Sequence, residues 1–167
     1  MRINEYRVIK NNYGLPQLSV RQSYQINYNN EPDIIKLSYI LDELFELSYL
    51  NEEYLYVISL DTAFHIKGIY EAGHGDCSSV AVYSRELFTF LLLSGAEQFV
   101  VAHNHPNGIL ESSDGDKSWT ISMNLCANIL HIKFLNHIIM TEEGVISVKN
   151  DVNFGGMEKV DWHSIHL

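Results

Sequence analysis

The sequence predicts an α/β domain built on a mixed β-sheet with helices packed against it. Short apolar runs of strand length alternate with segments whose apolar residues recur at helical spacing. Some neighbouring strands are joined by tight turns, which an all-parallel sheet does not allow. The chain has 167 residues, 46% of them hydrophobic, which suits one domain with a buried core.

Residues 1–30 read as an N-terminal strand followed by an irregular arm, rich in Asn, Gln and Tyr and broken at Gly14-Leu15-Pro16. Tyr6, Tyr13, Tyr24 and Tyr28 of this arm are expected to cover the sheet. A helix is predicted to begin near Glu31-Pro32-Asp33, since proline suits the first helical position and acids suit the positive end of the dipole. Ile34, Leu37, Leu41, Leu44 and Leu47 then recur at helical spacing. Tyr54 to Leu60 reads as a buried strand, Asp61-Thr62 as a turn, and His65 to Glu71 as a second strand. Ser84 is expected to cap a helix carrying Leu87, Phe88, Leu91 and Leu92, which stops at Ser94-Gly95. Gln98 to His103 is a third strand, residues 113–130 a helix, and 133–140 and 145–149 the closing strands. The main domain therefore spans residues 31–150, and 151–167 is a polar tail in which His163 and His166 are expected to be solvated.

Eleven Lys and Arg against 21 Asp and Glu give a net charge of -10, which argues against a broad phosphate-neutralising face and against an anionic membrane surface. The charge is uneven. Residues 1–30 hold Arg2, Arg7, Lys10 and Arg21 against Glu5 alone, whereas 31–71 hold nine acids against Lys36 and Lys67. No apolar run approaches the roughly 18 residues of a membrane span. The start, MRINEYRVIK, lacks the apolar core of a secretory signal. Cys77 and Cys126 are too few for a disulfide framework, so a reducing cytoplasm is the expected setting.

The chemistry concentrates in His103-Asn104-His105-Pro106-Asn107-Gly108, followed by Ser113-Asp114-Gly115-Asp116. Side chains two apart on a strand share a side, so His103 and His105 present two imidazoles together. Pro106 and Gly108 turn the chain into a loop, and a strand–loop–helix return brings the Asp116 carboxylate back to them. Two imidazoles, one carboxylate and an open fourth position suit a catalytic zinc ion, which acidifies its bound water. Ser113-x-x-Asp116 is also a helix start with Ser113 as cap, an arrangement that holds Asp116 in one rotamer.

His103-x-His105-Pro-x-Gly with Ser113-x-x-Asp116 resembles the JAMM signature of the JAB/MPN+ metalloproteases, and HNHPNG is similar in particular to their RadC-like branch. Leu60-Asp61-Thr62, Val82 to Phe88, Thr120 and His137-Ile138-Ile139 extend the likeness over roughly residues 31–150. The resemblance implies a cytidine-deaminase-like three-layer architecture and one zinc ion per chain, held by His103, His105 and Asp116. It also implies an upstream glutamate, on a strand, that activates the metal-bound water. The matching candidate is Glu71, which ends a predicted strand in an apolar setting; Glu86, in a helix, ranks well below it. Ser113 matches a serine whose hydroxyl hydrogen-bonds the oxyanion or the metal-bound water. Asn107 and Asn136 depart from the serine and aspartate common at those positions.

The implied activity is hydrolysis of a peptide or isopeptide bond, with a protein or peptide, such as a ubiquitin-like conjugate, as substrate. The alternatives are a metal-dependent phosphodiesterase, left open by the basic arm, and a binding module with a structural zinc. Two histidines and a carboxylate also fit a non-haem iron triad, but a base serving a metal-bound water favours zinc. Elsewhere, Cys77 is expected to be a small buried thiol, and His131 and His137 to be packing or surface residues. His74 is a minor candidate for substrate contact. Loops 72–79 and 106–112 are expected to border the cleft.

Overall fold

The computed structural model describes residues 1–28 and 33–152, with Ile34 by its backbone alone. Among them, seven strands form one sheet: β1 (Arg2–Lys10), β2 (Pro16–Gln25), β3 (Tyr54–Leu60), β4 (Ile66–His74), β5 (Gln98–Asn104), β6 (Lys133–Thr141) and β7 (Gly144–Ser147). The helices are α1 (Ile34–Phe45), α2 (Ser84–Leu93) and α3 (Asp114–Ile129). The strands lie in the order β2-β1-β4-β3-β5-β6-β7. β1/β4 and β5/β6 are parallel and the other neighbours antiparallel, so the sheet is mixed as expected.

Alternation along β3 assigns side chains to two cores. Tyr56, Ile58 and Leu60 join Leu37, Ile40 and Leu41 of α1. Leu55 and Val57 point the other way, to Leu87, Phe90 and Leu91 of α2 and Met123 and Ala127 of α3. The sheet is thus sandwiched between one helix and two, a three-layer arrangement in which both faces of β3 and β5 are covered. None of the described helices is long and apolar enough to cross a membrane.

Three local expectations change. Asp33 caps α1, its side chain accepting from the Ile35 and Lys36 amides, so the helix starts at Ile34; Glu31 and Pro32 lie outside the described residues. Ser84 does not cap α2, because it is already helical and the cap position is Tyr83, which offers no side-chain bond. Nor is the arm irregular: β1 and β2 form an antiparallel hairpin, and β1 joins the sheet beside β4. Asn11 builds its turn by accepting from the Tyr13 and Leu15 amides, with Gly14 at φ +77°. β2 is an edge strand with mostly exposed side chains, so it carries little of the apolar alternation that marks a half-buried strand. Tyr6, Tyr24 and Tyr28 pack against the two cores, while Tyr13 stands 88% exposed at the turn. His163 and His166 lie outside the described residues.

Candidate metal centre

β5 places His103 at its C-terminal end, on the same face as Val101 and Phe99. One residue further, the His105 amide donates to Met140 O at 3.0 Å, extending the β5–β6 pairing before the chain turns through Gly108 at φ +73°. His105 Nδ1 lies 2.8 Å from Ile109 O, a bond that fixes the ring from behind. The loop then delivers Asp116 in the first turn of α3. Ser113 caps that helix in a complete capping box, and its Oγ–H donates to Asp116 Oδ2 at 2.5 Å.

The three side chains predicted to bind metal converge. His103 Nε2 is 3.0 Å from His105 Nε2 and 3.2 Å from Asp116 Oδ1, and His105 Nε2 is 3.7 Å from Asp116 Oδ2. Ligand atoms arranged tetrahedrally at zinc–nitrogen and zinc–oxygen bond lengths stand about 3.3 Å apart. The observed separations bracket that figure, and a nitrogen–nitrogen–oxygen donor set suits zinc, so these residues fit the ion.

A glutamate stands at the same place, but it is Glu53. Its Oε1 lies 3.8 Å from His103 Nε2, and it groups with His103 and His105 as a possible ligand set. The register explains this: Leu55 pairs with His103 across β3 and β5, so two residues back along β3, Glu53 comes opposite His105 on the same face. Its backbone is fixed twice, its N–H donating to Asp76 O and its carbonyl accepting from Gly75 N–H, both at 2.8 Å. The Asn104 side chain completes the clamp. Wholly buried between the two histidines in sequence, it accepts from Tyr54 N–H and donates to the Leu50 and Glu52 carbonyls.

Glu71 is not at the centre, which corrects the sequence expectation. It pairs with Tyr56, whose side chain lies in the α1 core, so Glu71 faces the opposite side of the sheet from His103. There Arg21 Nη1 bridges Glu71 Oε2 and Glu5 Oε1, each at 2.9 Å. Ser113, expected to bond the oxyanion or the metal-bound water, lines the cleft, yet its one hydroxyl proton goes to Asp116. It holds a ligand and has no proton left for an oxyanion.

Behind the centre lies a third imidazole that sequence reasoning placed among packing or surface residues. His137 is buried, with Nε2 2.8 Å from His103 Nδ1 and Nδ1 2.6 Å from Thr120 Oγ1. The other candidates fall outside this group. His74 stacks on Tyr54 and bonds Glu52 Oε2 at 2.6 Å, and His131 is exposed. Cys77 is exposed and lines the cleft, not buried as expected. The cleft measures about 350 Å³, and Leu55, Val80, Val82 and Trp119 form its apolar wall. Both loops expected to border it do so, through Cys77 to Ser79 and through Pro106 and Asn107.

The electrostatics separate the two carboxylates. Burial pushes Glu53 above the ordinary carboxylate value, offset only in part by His103 and His105. Burial also works against ionising Asp116, but bonds from His103, His105 and Ser113 outweigh it and hold Asp116 well below the usual range. Asp116 in turn raises His105. Burial, then the neighbouring His103, pushes His137 well below the ordinary histidine value.

Residues 36–153 match the RadC-like JAB domain family. A UPF0758 protein of Clostridium perfringens is 30% identical over 133 residues, covering 80% of this chain and 56% of the relative. A UPF0758 protein of Shewanella frigidimarina is 27% identical over 143 residues, covering 81% and 62%. One from Clostridium novyi is 34% identical over 104 residues, covering 62% and 46%. The chain thus spans about half the length of the curated relatives it matches, whose names state no activity. With the match covering well over half the chain, the protein belongs to the RadC-like JAB domain family.

Proposed function

We propose that the chain is a metal-dependent hydrolase of peptide or isopeptide bonds, with one zinc ion held by His103, His105 and Asp116 and with Glu53 as general base. The observation that carries this reading is the position of Glu53, buried and 3.8 Å from His103 Nε2 at the edge of a three-ligand cluster. Membership of the JAB family supports metal-dependent hydrolysis as the reaction class.

A zinc ion bound there supplies Lewis acidity, polarising a scissile carbonyl and lowering the pKa of a water toward about 7. The protein's own residues do the rest. Glu53, raised by burial, is suited to take a proton from the attacking water and return it to the leaving amine. Asp116 stays ionised and is held in one rotamer by Ser113. Leu55, Val80, Val82 and Trp119 exclude water from one side of the cleft and offer an apolar surface to the substrate.

The charge of -10 favours a protein substrate, a ubiquitin-like conjugate among them, over nucleic acid. Two of the arm's basic residues are already engaged, Arg21 with Glu5 and Glu71 and Arg2 with Ser23, which weakens the case for a phosphodiester. Three ligands instead of four disfavour a purely structural zinc. A cytoplasmic setting fits two cysteines that are both free thiols.

Metal analysis and parallel assays test this reading. One zinc per chain is expected, lost in His103→Ala and Asp116→Ala, with chelator-sensitive cleavage of a peptide or an isopeptide-linked conjugate. Full zinc in both variants, or cleavage of single-stranded DNA alone, overturns it.

A further inference from the structure

Among the described residues one buried side-chain polar atom has no hydrogen-bond partner, Nε1 of Trp119. A tryptophan N–H taken out of water normally finds an acceptor, and leaving one bare is costly. The exception sits in the cleft. Trp119 follows Asp116 by three residues on α3, close to one helical turn, so the two side chains share a face. Its indole lines the cleft beside His103, His105 and Asp116, and it seats against the His137 ring with centroids 5.1 Å apart. The acceptors around it are taken. His137 is bonded at both nitrogens, by His103 and by Thr120, and the Asp116 carboxylate accepts from Ser113. Leu55, Val80 and Val82, which complete the apolar wall, carry no side-chain acceptor. A phenylalanine would form the same wall without a bare donor, so the indole N–H is what sets Trp119 apart.

We propose that Trp119 is a substrate-contact residue whose Nε1–H donates to a main-chain carbonyl of the peptide held in the cleft. The donor is uncharged and set among apolar side chains, which suits an uncharged acceptor over an anion. In a peptide that acceptor is the amide carbonyl. The same ring, with Leu55, Val80 and Val82, then packs on an aliphatic side chain of the substrate. The favoured substrate is thus a chain with an aliphatic residue close to the scissile bond. In the free protein Nε1 is closed to water, although the residue as a whole is only partly buried. The indole therefore has to shift as the peptide enters, and its surroundings differ between the free and the bound chain.

The role assigned to Trp119 deepens the hydrolase reading and rests on it, and one titration separates the two. The indole N–H gives its own proton signal, and Trp119→Phe identifies it against Trp162, the chain's other tryptophan. The probe is the blocked peptide acetyl-Ala-Leu-Gly-Ala-amide, titrated into the full chain carrying Glu53→Gln, with zinc and without. The Trp119 signal is expected to move downfield as the peptide binds, together with the methyls of Leu55, Val80 and Val82. Trp119→Phe in the same chain is expected to bind the peptide about 3–10-fold more weakly, the scale of one neutral hydrogen bond, with zinc stoichiometry unchanged. Methyl shifts without an indole shift, or equal affinity in Trp119→Phe, overturn the role of Trp119 and leave the hydrolase reading standing. Loss of zinc in Trp119→Phe does the same, because the indole then supports the centre itself. Absence of any shift in the cleft overturns its reading as a peptide site, and the role of Trp119 with it.

Discussion

Glu53 and His103 meet across the first pairing of β3 with β5, with Glu53 Oε1 3.8 Å from His103 Nε2. Eighteen residues later, Glu71 has the same side chain on the same sheet but the other face, where it serves Arg21. The chemistry assigned to this family member depends on that difference of face.

Arg21 holds the two carboxylates unequally. Glu5 is buried and bonded also by Tyr24, whereas Glu71 is 26% exposed at its side chain. Glu71→Gln is expected to cost less than about 1 kcal/mol, as for a partly exposed pair. Arg21→Met strands the buried Glu5 carboxylate and is expected to cost about 1–3 kcal/mol. Urea unfolding compares the two; a larger loss in Glu71→Gln contradicts this ranking.

Ser113 is expected to act through Asp116. Ser113→Ala should cost about 1 kcal/mol for the lost cap and weaken zinc by about tenfold or more. Turnover per bound zinc should stay near wild type. A loss of 100-fold or more at full zinc loading is what removal of an oxyanion donor produces, and restores that role to Ser113.

Asn104 ties the Glu53 segment to the histidine strand through three bonds. Asn104→Ala strands the Tyr54 N–H and the Leu50 and Glu52 carbonyls, and a loss of about 3 kcal/mol follows if two or more stay unpaired. Zinc stoichiometry should be retained, because none of the three ligands depends on this amide. Unchanged stability in urea contradicts the clamp.

In the metal-free protein, His105 is raised by Asp116. A raised histidine contributes stability that is full below its unfolded value of about 6.5 and is lost as pH rises through the folded value. The stability lost in metal-free His105→Gln should therefore be larger at about pH 5.5 than at about pH 8.5. Zinc binding runs the other way. The ion must displace the proton from His105, so affinity should fall by up to about tenfold per unit as pH drops below the raised value. Zinc affinity that is flat between about pH 5 and 8 contradicts both statements.

Much of the centre was legible because its parts are close in sequence. His103 and His105 share a strand end, and Ser113 and Asp116 share a helix start, so local rules suffice for both. Glu53 is fifty residues away from His103, and only the β3–β5 register joins them. A sequence signal did exist: Glu53, Leu55 and Val57 alternate into one face, and that face carries the histidines. Glu71 lies on the other face by plain alternation along β4, since Ile69 two residues before it packs in the α1 core while Tyr70 and Ala72 pack in the other. His137 was hidden for the same reason as Glu53. It reaches His103 only because parallel β6 sets it beside Val101, a contact no local pattern encodes. The hairpin of the arm was missed since its outer strand buries almost nothing.

The most direct test of the central claim compares Glu53→Gln with Glu71→Gln, each loaded with zinc and assayed on the same peptide or isopeptide substrate. Both variants should bind one zinc. Glu53→Gln should lose turnover by about 100-fold or more, the scale of a missing general base, while Glu71→Gln should stay within about twofold of wild type, within the range of surface changes remote from the site. Undiminished hydrolysis by Glu53→Gln, or loss of hydrolysis in Glu71→Gln alone, contradicts the assignment of the base to Glu53.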